Sequence, residues 1–299
     1  MQHGRPYRYR KAKLRTYYNI PFGYPFEVLQ EPLFDFVKPY TFLTLMLSQA
    51  CDFKLRSIVR NHTQHLRTRF SVYSIFVLGN AVPSCNDAIA EENAINGDIL
   101  QFNHLDITLS VLFAFHYIHN MSLPVRYVFK TDSDCVVNYP RLIELLDTIS
   151  EEQKQNLYMG LCDKGKNYNT MDVSRKNYVP KSLVQGDTYI PYYVTGGGYV
   201  ISYELLPKLL VGISHLPFIG HNEDVNVGRG MTLVKIPCID AKTVWISRNG
   251  CFSKTECLKR VIMHPWMDIS EVPRFYSYLF ESSVCNKQYT GNRLRIRNR

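Results

Sequence analysis

No stretch of the 299-residue chain approaches the ~18 consecutive apolar residues of a membrane-crossing helix. The nearest candidate, Tyr40 to Leu47, has the length of a strand, and the first residues lack the apolar core of a signal peptide. Membrane attachment is therefore expected only through an anchor absent from this sequence. The eight cysteines include no Cys-x-x-Cys pair, which argues against a structural zinc site. Gly-x-x-x-x-Gly-Lys-Ser/Thr is missing, so a P-loop is excluded. There is no internal repeat, no low-complexity segment, and no helix-turn-helix, zinc-finger or RNA-binding sheet motif. The net charge of +9 favours an anionic partner, but no nucleic acid is expected. The basic residues gather at the two ends, between Arg5 and Arg15 and between Arg293 and Arg299, as solvated tails do.

What is present is enough apolar and aromatic material for a large core: 45% hydrophobic residues, with 21 Tyr and 16 Phe. The most informative stretch is Tyr127 to Asn138. Tyr127, Val128 and Phe129 form an apolar run that predicts a buried strand, and Asp132 and Asp134 stand at its carboxyl end. Alternation along a strand lets both carboxylates project from one side. Two hard oxygen anions on one edge suit Mg²⁺ or Mn²⁺, although Asp-x-Asp also occurs in ordinary solvated turns. Leu142, Leu145, Leu146 and Ile149, with Pro140 in the first turn, predict a helix next. Strand, acidic edge and helix are how open α/β sheets build a ligand site at strand carboxyl ends.

Several other stretches stand out. Thr41 to Leu47 predicts a core strand, and Cys51 to Gln64 a helix with Arg56 and Arg60 on one face, either a diphosphate fork or a solvated basic face. Leu105 to His119 predicts an amphipathic helix, and Glu91 to Asp98 a polar helix followed by a short edge at Gly97–Leu100. Gly196, Gly197 and Gly198 form a tight turn or a place for close backbone approach, ahead of a helix that Ser202 would cap. Glu223 and Asp224 sit at a predicted helix start, where acidic side chains also serve as caps. Cys257 to His264 predicts a strand ending in histidine, then a helix from about Ser270 to Phe280. Cys251, Cys257 and Cys285 cluster near the end and have the means to join disulfides in an oxidising compartment. Asn61-His-Thr63 and Asn120-Met-Ser122 fit the N-glycosylation pattern.

These stretches, in this order, resemble the β-1,3-galactosyltransferase family, glycosyltransferase family 31. Lys130-Thr-Asp132-Ser-Asp134-Cys-Val-Val-Asn138 is similar to its Lys-Thr-Asp-Asp-Asp-Val-Phe-Val-Asn, with Ser133 in place of the middle aspartate. Thr195 to Val200 matches Ser-Gly-Gly-Gly-Tyr-Val, Glu223 to Gly228 matches Glu-Asp-Val-x-x-Gly, and Arg56, Arg60, Glu92 and Gly97-Asp98-Ile99 match its earlier motifs. Thr63, where the family usually has Trp, and the helix around Ala114 depart from its pattern.

The resemblance implies a Rossmann-like GT-A nucleotide-sugar transferase fold, with a mixed, mostly parallel central sheet flanked by helices. Residues 1–39 would be a lead-in or stem, 40–286 the catalytic domain and 287–299 a basic tail. It implies an inverting, Mn²⁺- or Mg²⁺-dependent hexosyltransferase that moves galactose or N-acetylhexosamine from a UDP-sugar to a glycan hydroxyl, forming a β-1,3 linkage on the lumenal side of the Golgi membrane. Asp132, Asp134 and His264 would hold the metal, and Asp224 would be the base. Arg56, Arg60, Asp98, Lys130, Asp132 and Gly197 would bind the donor, with Glu223 and Tyr199 toward the acceptor. The alternative is a catalytically inactive relative acting as a carbohydrate-binding or chaperone-like partner. A glycoside hydrolase also uses paired carboxylates but needs no Asp-x-Asp metal edge.

Overall fold

The computed structural model describes residues 16–17, 26–34, 39–163, 165–167, 174, 178–184, 189–219, 222–242, 245–247, 254–264 and 270–280. The first third of the chain forms β1 (Thr16–Tyr17), β2 (Phe26–Gln30), β3 (Tyr40–Leu47), α1 (Phe53–Thr63), α2 (Leu66–Arg69), β4 (Val72–Leu78), α3 (Pro83–Asn96) and β5 (Ile99–Phe102). Next come α4 (Ile107–Asn120), β6 (Val125–Asp132), β7 (Val136–Val137), α5 (Tyr139–Asp147), α6 (Glu151–Gln155), β8 (Tyr158–Asp163) and β9 (Lys166–Asn167). Then follow α7 (Lys181–Val184), β10 (Tyr189–Ile190), β11 (Tyr193–Ser202), α8 (Leu206–Ser214) and α9 (Glu223–Leu233). The described chain closes with β12 (Ile239–Asp240), β13 (Ile246–Ser247), α10 (Lys254–Leu258), β14 (Ile262–Met263) and α11 (Glu271–Phe280).

The main sheet has the order β1-β2-β5-β4-β3-β6-β11-β8-β12. β5, β4, β3 and β6 are joined in parallel, as are β8 and β12, while β2 and β11 run against their neighbours. Helices supply the long crossovers that parallel neighbours need. From β3 the chain moves outward through β4 to β5, and α4 then carries it back to place β6 on the other side of β3. That reversal opens a crevice at the carboxyl ends of β3 and β6, where Leu47 is registered against Asp132. The mixed sheet flanked by helices is the architecture the family resemblance implies.

Strand alternation divides the core between the two faces. Leu43 and Leu45 of β3 pack with Leu109, Leu112, Leu209 and Ile213 from α4 and α8. Phe42 and Met46 turn the other way, toward Tyr139 and Leu142 of α5 and toward Leu55, Ile89 and Phe275 of α1, α3 and α11. Both faces being covered explains why β3 is apolar almost throughout. Each fully buried Leu or Phe contributes roughly 1.5–3 kcal/mol to this arrangement.

Several expectations are corrected. α4 is buried nearly all round, from Val111 to Ile118 with only His116 partly exposed, because it lies between the sheet and α8 and α9; Leu105 is left outside it, exposed. α3 begins at Pro83 rather than Glu91, with proline at its first position, and ends on Gly97 at φ +65°. β5, anticipated as an edge, lies inside the sheet between β2 and β4. The anticipated strand from Cys257 is instead the short helix α10 followed by two strand residues, Ile262 and Met263. Residues 26–30, assigned to the lead-in, pair with β5, and Phe26 stacks on Phe113. Cys51 pairs with Cys85 and Cys162 with Cys238, and Cys257 is buried; Cys251 and Cys285 lie outside the described residues. Half of the long stretch at 163–190 also falls outside them.

α1 and α3 are held together by charge. Arg56, with a side chain at 0% exposure, gives its guanidinium to both carboxylate oxygens of Glu92, to the Ser48 hydroxyl and to the carbonyls of Gln49 and Ala50. All five of its N–H groups are engaged. Arg56→Met leaves Glu92 with Arg60 alone and frees the 48–50 loop, so it should cost about 3 kcal/mol in urea unfolding. A loss below about 1 kcal/mol would mean that packing, not this ion pair, joins the two helices.

Candidate active site

β6 ends in a turn. The Cys135 N–H donates to the Asp132 carbonyl at 3.0 Å, and the Ser133 N–H donates to the Leu47 carbonyl at 2.9 Å across the crevice. Ser133, in the position of the signature's middle aspartate, is buried. After the turn, β7 pairs antiparallel with β14, Val136 opposite Met263 and Val137 opposite Ile262. One step further along that register, His264 comes to Cys135 and the two aspartates. Ligand atoms of Asp132, Asp134, Cys135 and His264 all lie within 4.8 Å of one another. His264 Nε2 is 3.6 Å from Asp134 Oδ2, and the carboxylates of Asp132 and Asp134 are 33% and 35% exposed. Burial raises the Asp134 carboxyl above the usual range, with His264 opposing and Asp132 reinforcing. Carboxylate oxygens and imidazole at such separations fit a divalent cation such as Mn²⁺ or Mg²⁺. The expected metal residues Asp132, Asp134 and His264 are thus brought together. Cys135 was missed, although it stands beside Asp134 in the same turn.

Behind this edge sits Lys130, 2% exposed. Its ammonium lies 2.9 Å from Asp132 Oδ1 and 2.9 Å from Glu223 Oε1, and donates to the Gly196 carbonyl at 2.6 Å. Burial works against its charge, but Asp132 and Glu223 outweigh it and hold the proton more firmly than in water. Its three donor positions face protein groups, so Lys130, expected to bind the donor, instead positions the carboxylates.

The glycine triplet is corrected as well: it lies inside β11, where the register with β8 shifts between Val194 and Tyr199. Gly196 donates its N–H to Asp224 Oδ2 at 2.9 Å, and a Cβ there would meet that oxygen at 3.3 Å. Gly197 accepts from the Thr131 hydroxyl at 3.2 Å. Gly198 has φ +155°, gives its carbonyl to Trp245 Nε1 at 2.8 Å, and leaves no room for a Cβ, which would lie 2.5 Å from Ile262. Ser202, expected to cap the following helix, bonds the Gln155 carbonyl and the Leu157 N–H instead.

α9 opens with Glu223 and Asp224. Asp224 Oδ1 accepts from the Val225 N–H at 2.9 Å, so each carboxylate oxygen has one backbone donor. Burial raises the Asp224 pKa against the pull of Lys130, making it a stronger base than an ordinary aspartate. Glu223 is 4% exposed and its carboxyl is pushed up to about 7 by burial, with Lys130 opposing and Asp224 adding. Its burial on Lys130 makes it a brace for the site rather than an acceptor contact. Tyr199, expected to stack on a sugar, is 0% exposed and packs its ring against Tyr158 and Phe115, which excludes that role.

Arg60 pairs with Asp98 at 2.8 Å and with Glu92 at 2.6 Å, and it lines a cleft of about 700 Å³ between α1 and α3. Asp98 leads into β5, three strands across from β6, so the usual strand spacing separates it from the acidic turn by roughly 14 Å. The structure does not bring Arg60 and Asp98 to the carboxylates. Arg56 is committed to Glu92 and the 48–50 loop and has no N–H left for a phosphate.

Residues 56–242 match the sequence model of the Galactosyltransferase family. The chain belongs to that family. A rat relative, UDP-GalNAc:beta-1,3-N-acetylgalactosaminyltransferase 1, is 26% identical over 256 residues, covering 81% of this chain and 75% of its own length. Human beta-1,3-galactosyltransferase 2 is 26% identical over 273 residues, covering 87% of this chain and 63% of its own. Among solved structures, the galactosyltransferase LgtC with donor and acceptor sugar analogues overlays with a TM-score of 0.41 at 12% identity, covering 80% of this chain and 95% of its own. The galactosyltransferase family assignment makes this chain a glycosyltransferase, and the converging motifs above are its candidate machinery.

Glu223 also yields a pH test. Its folded pKa of about 7 lies above the ordinary 4.5, so between these values the folded state keeps a proton that the unfolded chain has released. The stability it contributes is full below about 4.5 and is lost as pH rises through about 7. Glu223→Gln should flatten the fall in unfolding free energy across that window. Equal slopes for the two proteins would place the proton elsewhere.

Proposed function

We propose that the protein is an inverting, metal-dependent hexosyltransferase that moves galactose or an N-acetylhexosamine from a UDP-sugar to a glycan hydroxyl, forming a β-1,3 linkage. The observation that carries this reading is the joining of three motifs by one buried ammonium: Asp132 on β6, Gly196 on β11 and Glu223 on α9 all meet Lys130. Asp224 is fixed to the same Gly196 through its N–H.

In this reading Asp132, Asp134 and His264 would hold a divalent cation, Mn²⁺ or Mg²⁺, which would supply positive charge to offset that of the diphosphate leaving group. Asp224 takes the proton of the attacking acceptor hydroxyl. Its oxygens keep lone pairs beyond the two backbone bonds, and its burial raises its basicity. Lys130 offsets part of the negative charge that Asp132, Glu223 and Asp224 concentrate there, and its bonds keep the acidic turn and the start of α9 in register. The catalytic unit is residues 40–286 together with strand Phe26–Gln30. Two disulfides suit an oxidising compartment, and the exposed Asn61 and Asn120 of the glycosylation triplets suit a secretory route, so the proposed location is the Golgi lumen. No helix among the described residues is long and apolar enough to cross a membrane.

Calorimetry of UDP binding with Mn²⁺ and then with EDTA tests the donor site, and transfer from a panel of UDP-sugars tests the reaction. Binding should require the metal, and Asp134→Ala should weaken it at least about tenfold. Asp224→Asn should lower turnover by about a hundred- to ten-thousandfold while leaving UDP binding in place. Unchanged turnover would remove Asp224 as the base. Metal-dependent binding of UDP with no transfer from any donor would favour the inactive-relative reading.

A further inference from the structure

We propose that Cys135 is a fourth protein ligand at the acidic turn and tilts its ion selectivity toward thiophilic divalent cations such as Zn²⁺ and Cd²⁺. The inference rests on the reading of Asp132 and Asp134 as a metal edge. Three observations support it. The Cys135 thiol belongs to the group whose ligand atoms lie within 4.8 Å of one another, and its Sγ is 3.6 Å from Asp134 Oδ1, to which it donates. The β7–β14 register, which sets Met263 opposite Val136, carries His264 to the same point from the other strand, so soft and borderline donors meet the carboxylates. Cys135 belongs to no disulfide, so its sulfur keeps its thiol.

The family signature has Val where this chain has Cys135. A thiol fills nearly the volume of that side chain, so the change keeps the buried packing and adds a donor atom. Carboxylates favour Mg²⁺ and Mn²⁺, while thiolate favours Zn²⁺ and softer ions. On binding, the sulfur–metal bond forms as the S–H bond breaks, and the proton goes to solvent; no oxidant or reductant is involved. A site with this thiol should therefore take Zn²⁺ or Cd²⁺ well enough to displace Mn²⁺, whereas a carboxylate–histidine site would discriminate less.

The test uses the full chain and metal salts alone. Cd²⁺ titration should produce the ultraviolet charge-transfer band of a cadmium–thiolate bond. That component should be lost in Cys135→Val and in Asp134→Ala, which together report one shared ion rather than a thiol elsewhere. Calorimetry should show the ratio of Cd²⁺ to Mn²⁺ affinity falling at least about tenfold in Cys135→Val, or about 1.4 kcal/mol. Cys135→Ser, which exchanges soft sulfur for hard oxygen, should move the ratio the same way and serves if the valine variant folds poorly. An unchanged band and ratio in both Cys135 variants would overturn the proposal and leave Cys135 as a packing residue. Absence of Mn²⁺-dependent UDP binding alongside a Cys135-dependent Cd²⁺ band would count against the donor-site reading while upholding this one.

Discussion

The ammonium of Lys130 connects strand β6, the glycine segment of β11 and the first turn of α9, which are far apart in sequence. Removing a cation from water is costly, and the cost is offset here only because two carboxylates and a carbonyl surround it. The same contacts keep Asp132, Glu223 and Asp224 from repelling one another at close range. Glu223 sits so deep that its carboxyl titrates near neutrality, and Asp224 is held by backbone N–H groups with its basicity raised. The arrangement fixes geometry more than it adds stability, as buried ion pairs often do.

The sheet order determines where this charge cluster lies. Because the chain turns back at β3, the carboxyl ends of β3 and β6 diverge from the connections that follow them, and the acidic turn occupies that gap. Around it, the disulfide Cys51–Cys85 and the Arg56–Glu92 pair tether the loop after β3 to α3. The disulfide Cys162–Cys238 fastens the end of β8 near β12. The loops on either side of the crevice thus hang from stapled elements, which suits a site that must place carboxylates accurately.

Local signals were legible where local physics governs. The apolar run of β3, the Leu142, Leu145 and Leu146 spacing of α5 and the acidic pair at the end of β6 were all visible as patterns, because alternation and helical spacing act over a few residues. Signals failed where burial on all sides erased the pattern. α4 packs against neighbours on every face, so its expected single apolar stripe was only part of its buried surface. β5 was mistaken for an edge because four residues carry no mark of what lies beside them.

The sequence alone determined the α/β class, the acidic turn, the glycine triplet and the Glu223–Asp224 helix start, because each depends on residue types at short, fixed spacing. Only the tertiary structure decided what those residues do. It turned Arg56 and Lys130 inward onto carboxylates, buried Tyr199 against Tyr158, and paired Cys162 with Cys238. It also carried His264 to Cys135 through the pairing of β14 with β7. Those outcomes follow from strand order and register, which bring distant residues together without leaving any periodic trace along the chain.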